Sequence, residues 1–152
     1  FLREIYKKKI LKKNIVFDYF SISKKDVVRG LHFQFPQQEK IVTVLKGEIL
    51  DFSLDLRKNS KTFLKFFKTK LSQKNGKSIF IPSGFAHGFV TLKSENIILY
   101  NNSNYYNKDK EISIDFFDKK INMLNFSKKY FRSMKDKNAL TINQFEKKFK
   151  SL

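Results

Sequence analysis

Leu50-Asp51-Phe52-Ser53-Leu54-Asp55-Leu56-Arg57 is the stretch that decides how this chain is to be read. Apolar residues at 50, 52, 54 and 56 alternate with polar ones at 51, 53, 55 and 57. Successive side chains of a strand point to opposite faces, so a period of two predicts a half-buried β-strand. Working outward, the same character recurs in short runs divided by turn signals. Upstream lie Val28-Arg29-Gly30-Leu31-His32-Phe33-Gln34, a turn at Pro36, then Ile41 to Leu45 closed by Lys46-Gly47. Downstream, Phe63 to Leu71 reads as a strand, and Asn75-Gly76 turns the chain into Ser78 to Ile81. Pro82-Ser83-Gly84 breaks it again before Gly88 to Leu92, Asn96 to Tyr100 and a last run, Ile112 to Phe116. Many short strands at this spacing predict an all-β sandwich or barrel of jelly-roll type. The ends differ. Residues 1–14 are basic with scattered apolar positions and read as a short helix or irregular lead-in. Thr141 with Gln144 three residues on resembles a capping box, and Phe145 and Phe149 repeat at helical spacing. A short C-terminal helix over 141–150, packed on the β-core, is expected.

The chain's 152 residues fit one domain with its own core, taken as 1–152. Hydrophobic residues at 41%, with 18 Phe, exclude a disordered tail. The absence of cysteine excludes disulfides and thiolate metal sites. No apolar run approaches the roughly 20 residues that span a bilayer. The chain is therefore expected to be soluble and cytoplasmic. It starts Phe1-Leu2-Arg3-Glu4, neither a signal peptide nor an initiator Met, so its beginning reads as missing. The net charge of +18 suits an anionic partner, but only four of the 32 basic residues are Arg. Base readout favours Arg forks, so specific nucleic-acid binding is not expected.

Two histidines are present, His32 and His87. Each alone fits a structural role; together, in a chain otherwise without imidazole, they suggest acid–base work near neutral pH. Pro82-Ser83-Gly84-Phe85-Ala86-His87 has the Pro-x-Gly-x-x-His pattern of the second cupin motif. The first motif would need a His-x-His pair, and His32-Phe33-Gln34 lacks the second His. No metal centre is expected.

The blocks Val28 to Gln34, Lys40-Ile41-Val42, Gly47 to Asp51, Asp55-Leu56-Arg57, Ile81 to Phe89, and Leu99-Tyr100 followed by Tyr105-Tyr106 stand in this order. Together they strongly resemble the dTDP-4-dehydrorhamnose 3,5-epimerase family of nucleotide-sugar epimerases, over about Phe1 to past Asp136. The resemblance implies a cofactor-free, cupin-like jelly roll acting as a homodimer on a nucleotide-sugar substrate. It implies proton abstraction at C3 and C5 of a 4-keto sugar through an enolate. On it, His32 matches the base, Asp136 the carboxylate paired with it, Tyr100 the proton donor, and Lys40 and His87 the pair near the keto oxygen. Arg29, Glu4, Glu111 and Lys135 match substrate-contacting positions, Lys135 as a point charge for the diphosphate.

The resemblance also has gaps. An arginine that helps hold the diphosphate would precede Phe1. Phe17 and Tyr19 stand where the family usually has a polar Gln-x-Asn, and Thr43 stands where Arg is common. The loop between Gln34 and Lys40 is slightly short. These concern how substrate is held rather than the acid–base set. A single-site 3- or 5-epimerase on a related sugar, or a non-catalytic module for an anionic ligand, are the alternatives.

Overall fold

Among the described residues the alternating runs become nine antiparallel strands in two sheets. They are β1 (Phe17–Ser23), β2 (Val28–Gln34), β3 (Lys40–Lys46), β4 (Glu48–Asp55), β5 (Phe66–Ser72), β6 (Ser78–Ile81), β7 (Phe85–Thr91), β8 (Asn96–Asn102) and β9 (Glu111–Ser113). Three short α-helices accompany them among the described residues: α1 (Lys8–Leu11), α2 (Met134–Lys137) and α3 (Ile142–Lys148). The structure is a computed structural model that describes residues 2–124 and 129–149, Ile10 by its backbone alone. One sheet has the order β1-β8-β3-β6, the other β5-β4-β7-β2-β9. This is the all-β jelly-roll arrangement expected from the sequence. Among the described residues no helix is long and apolar enough to cross a membrane.

Two apolar clusters hold the strands. The first fills one end of the space between the sheets, with Val42 and Val44 of β3, Ile49 of β4, Phe89 of β7 and Ile98 of β8. The second lies on the opposite face of the five-stranded sheet. There Leu31 and Phe33 of β2, Phe52 and Leu54 of β4, and Ala86 and Val90 of β7 meet Ile114, Phe116, Ile142 and Phe145 from the C-terminal part. Phe52 meets Phe116 edge-on, ring centroids 5.1 Å apart. The capping box at Thr141 and Gln144 forms as read, and it starts α3 with Ile142 and Phe145 buried. Lys150, the last residue of the expected helix, lies outside the described residues.

The sequence reading changes at three places. Strand β4 is not half-buried: Asp51, Ser53 and Asp55 are as inaccessible as Phe52 and Leu54. Alternation reports that two faces differ, not that one of them meets water. Phe63 and Leu64, expected within a strand, belong to a turn over 61–64 instead, and β5 starts at Phe66. The turn is drawn in by Asp55, whose carboxylate accepts from the hydroxyls of Ser60 and Thr62 at 2.7 and 2.6 Å and whose carbonyl accepts from Leu64 N–H. The last strand is shorter than read; Ile114 leaves it to form a parallel bridge with Leu140.

Two glycines set the geometry that matters for function. Gly30 has φ +104°, and a Cβ there would come within 2.5 Å of the His87 carbonyl and 2.7 Å of Gly88 Cα. A Cβ on Gly88 would meet the Arg29 carbonyl at 2.6 Å and the Phe116 ring at 2.9 Å. Only glycine permits so close an approach. The two backbones pass in contact, and His32 and His87 become cross-strand partners.

Candidate active site

Both histidines project from adjacent strands to the side of the sheet away from Leu31, Phe33 and Ala86, as the period of two requires. They reach a pocket of about 120 Å³ lined by His32 of β2, Lys40 of β3, His87 of β7, Tyr100 of β8, Glu111 of β9, and Tyr19 and Ser21 of β1, with Arg29. Six strands from both sheets therefore contribute to one cavity. A wider cleft beside Gly47, Ser72 and Lys93 contains none of the residues singled out above.

His32 is held from two sides. Its Nε2–H donates to Asp136 Oδ1 at 2.6 Å, while Nδ1 faces Glu111 Oε1 at 3.6 Å. Asp136 sits in α2, where it is 3% exposed rather than a solvated charge. Ser133, which caps α2, donates its hydroxyl to Asp136 Oδ2 at 2.8 Å. Burial works to raise the Asp136 carboxyl, but the His32 bond and charge, Ser133 and the Gly30 N–H outweigh it and hold it below the ordinary value. For His32, burial prevails over the attraction of Asp136, with Lys135 and Lys40 adding repulsion, and its pKa falls. The result is an ionised carboxylate fixing a neutral imidazole whose Nδ1 carries the free lone pair.

His87 has a carboxylate of its own. Its Nε2 bonds Asp51 Oδ2 at 2.7 Å in full burial. Burial pushes the Asp51 carboxyl up, against the pull of His87, and Asp51 Oδ1 has no hydrogen-bond partner among the described residues. Lys40 is brought down to about 8 by burial and by the charge of Lys135. Tyr100 is driven above the ordinary phenol range by burial, then by Tyr19 and Asp51, while Ser21 and Arg29 oppose the shift. Its hydroxyl is therefore protonated throughout the working pH range. Arg29 lines the pocket with its Nε bonded to Ser23. Glu111 accepts from the Tyr106 hydroxyl at 2.8 Å and pairs with Lys135, so it ties the rim of the pocket to α2.

The structure thus gathers His32, Lys40, His87, Tyr100, Arg29 and Glu111 around one cavity and places Asp136 and Lys135 directly behind it. Glu4 is not among them; it pairs with Lys7 at 2.6 Å beside a groove near α1. Among the described residues no group of three or more His, Cys, Asp or Glu is arranged to hold a metal ion.

A family profile described as dTDP-4-dehydrorhamnose 3,5-epimerase matches residues 1–144. The chain belongs to the dTDP-4-dehydrorhamnose 3,5-epimerase family. It is 42% identical over 114 residues to the protein of that name from Shigella flexneri, covering 74% of this chain and 63% of that one. Against the Salmonella typhimurium protein the identity is 45% over 112 residues, covering 72% and 61%. The chain therefore spans under two thirds of the length of these curated relatives. Among solved structures, the Bacillus anthracis epimerase with TDP and pyrophosphate bound superposes with a TM-score of 0.88, at 34% identity over 91% of this chain and 84% of that one. The Legionella pneumophila enzyme in complex with dTDP-4-keto-L-rhamnose gives 0.87, at 34% identity over 93% and 77%. The cupin-like fold expected from the sequence is the fold of these epimerases.

Three residues at this epimerase-family pocket escaped the sequence reading: Asp51 behind His87, and Tyr19 and Ser21 in the wall. Asp51 lies in a quoted block but was given no role, because its alternation with Leu50 and Phe52 made it look solvent-facing. The signal was a carboxylate in a run carrying Ile49, Leu50, Phe52 and Leu54, where burial demands a partner. Tyr19 was noted only as a departure from the polar family pattern; it is a wall of the pocket. Thr43, another departure, is buried with its hydroxyl bonded to Ser78 and does not line the cavity.

Proposed function

We propose that this chain epimerises a nucleoside-diphosphate 4-keto-6-deoxy sugar at C3 and C5 by proton abstraction and re-protonation through an enolate. The observation that carries the reading is the shared cavity. An imidazole poised as a base and a protonated phenol, carried by different sheets, line it together. The C4 ketone acidifies the neighbouring C–H bonds. His32 Nδ1 takes the proton, and the resulting imidazolium is stabilised by Asp136. Negative charge develops on the C4 oxygen, where Lys40 and the His87–Asp51 pair provide positive charge and a hydrogen-bond donor. Tyr100 then delivers its proton to the opposite face of the carbon, and the phenolate regains one from solvent. Arg29 and Lys135 supply cationic contacts for the sugar and diphosphate, with Glu111 as a further substrate contact; Glu4, paired with Lys7 away from the cavity, takes no part in it.

The reading includes a homodimer and a cytoplasmic location. The first is supported by the edge strand β1, where Phe20 and Ile22 are 62% and 56% exposed. The second follows from a nucleotide-activated substrate. The test is incubation with dTDP-4-keto-6-deoxyglucose in heavy water, following C3 and C5 by NMR. Deuterium entering at both carbons, with inversion, is the expected result. Exchange at one carbon alone replaces the reading with a single-site epimerase, and no exchange on any nucleoside-diphosphate 4-keto sugar leaves a binding module.

A further inference from the structure

Tyr19 lines the pocket and has no part in the proton transfers described above. It stands directly across from Tyr100 in the β1–β8 pairing. The two rings stack with centroids 4.5 Å apart and planes 16° from parallel. His87 also meets Tyr100 at a steep angle, centroids 6.2 Å apart at 73°. The phenol ring thus has one stacked aromatic neighbour and one tilted across it. Tyr19 is itself backed by Phe17, whose ring lies 5.5 Å away. It lines both the His32 pocket and an adjoining cleft of about 260 Å³ shared with Phe17 and Tyr106. Cross-strand aromatic pairs of this kind restrict ring rotation and tilt.

The chemistry gives that restriction a consequence. Once His32 has taken a proton, the enolate has two ways back. Tyr100 can give its proton to the far face, which inverts the carbon, and both side chains are then reset by solvent. Alternatively the imidazolium, after exchanging with solvent, can return a proton to the near face, which restores the starting configuration. The partition between these depends on where the Tyr100 hydroxyl points, and a small misplacement costs heavily.

We propose that Tyr19 is a positioning residue for Tyr100: its stacked ring aims the phenol at the face of the enolate opposite His32 and so sets the ratio of inversion to retention. The inference rests on the epimerase reading above and adds to it a determinant of stereochemical outcome.

The test compares wild type, Tyr19→Ala and Tyr19→Phe on dTDP-4-keto-6-deoxyglucose in heavy water, scoring deuterium incorporated with inversion against deuterium incorporated with retention. Tyr19→Ala is expected to raise the retention-to-inversion ratio about tenfold or more. Tyr19→Phe, which keeps the ring, is expected to hold the wild-type ratio. An unchanged ratio in Tyr19→Ala, with both channels slowed alike, overturns the proposal, and so does a Tyr19→Phe that behaves like Tyr19→Ala. Loss of wild-type exchange altogether would count against the epimerase reading instead. In that event the ring-flip rate of Tyr100, read by NMR on ring-labelled tyrosine, decides the positioning role. Faster flipping in Tyr19→Ala than in wild type and Tyr19→Phe supports it, and equal rates refute it.

Discussion

The two faces of the five-stranded sheet are both buried, yet for opposite reasons. On one face Phe52, Leu54, Leu31 and Ala86 pack under Phe116, Ile142 and Phe145, and the contact is dispersion and water exclusion. On the other, Asp51, Ser53, His32 and His87 face the second sheet around a cavity, and carboxylates are kept there by imidazole partners. One face holds the fold together, while the other is held by it. The difference teaches that in this barrel burial alone does not mark the core; Asp51 and His87 are nearly as inaccessible as the apolar layer.

Substitutions that separate stability from chemistry would sharpen that contrast. The largest effect belongs to the polar face. His32→Asn keeps a donor for Asp136 but removes the base, and deuterium exchange at C5 should fall about 10⁴-fold with the melting temperature little changed. A collapse of the melt in step with exchange would erase the distinction between the faces. Next comes the apolar face. Phe52→Ala should cost about 4 kcal/mol of unfolding free energy, read by urea denaturation, because Phe66 and Phe116 lose their partner.

Asp51→Asn should slow turnover about 100-fold, since His87 loses the carboxyl group that orients it. Stability should move the other way with pH. The Asp51 carboxyl is raised by burial, so the unfolded chain ionises first and Asp51 lowers stability as pH rises through that window. Denaturation at pH 4 and pH 7 should show this decline in the wild type and its loss in Asp51→Asn. The smallest effect concerns Lys40. If its cation steadies the enolate, kcat/KM falls as pH rises through about 8, where Lys40 loses its proton. Lys135→Ala should move that limb upward, because the Lys135 charge is part of what depresses Lys40. A limb that stays in place detaches Lys40 from the pH profile.

Much of the site was legible because its residues lie in compact motifs. Arg29-Gly30-Leu31-His32 and Pro82 to Phe89 each place an imidazole beside glycine, and Gly30 and Gly88 let those strands touch. Tyr100 and Lys40 were legible only through the resemblance, for a lone tyrosine in an apolar strand and a lone lysine at a strand start carry no local mark. Asp51 was misjudged for a definite reason. Alternation fixes that residues 51 and 52 point apart, but it is silent on what covers each side. The turn at 61–64 was missed because its organiser, Asp55, acts across several residues through side-chain hydrogen bonds that no propensity contains.

The chain's own residues determine the strand periods, the turns, the cap of α3 and the two glycine-flanked histidines, since each depends on neighbours within a few positions. The tertiary structure alone decides that Asp136, 104 positions from His32, ends within hydrogen-bond reach of it, and that Tyr19 stacks on Tyr100 across paired strands. It also decides which carboxyl is raised and which lowered, because those shifts depend on exclusion of water and on charges met only when the two sheets close over the same cavity.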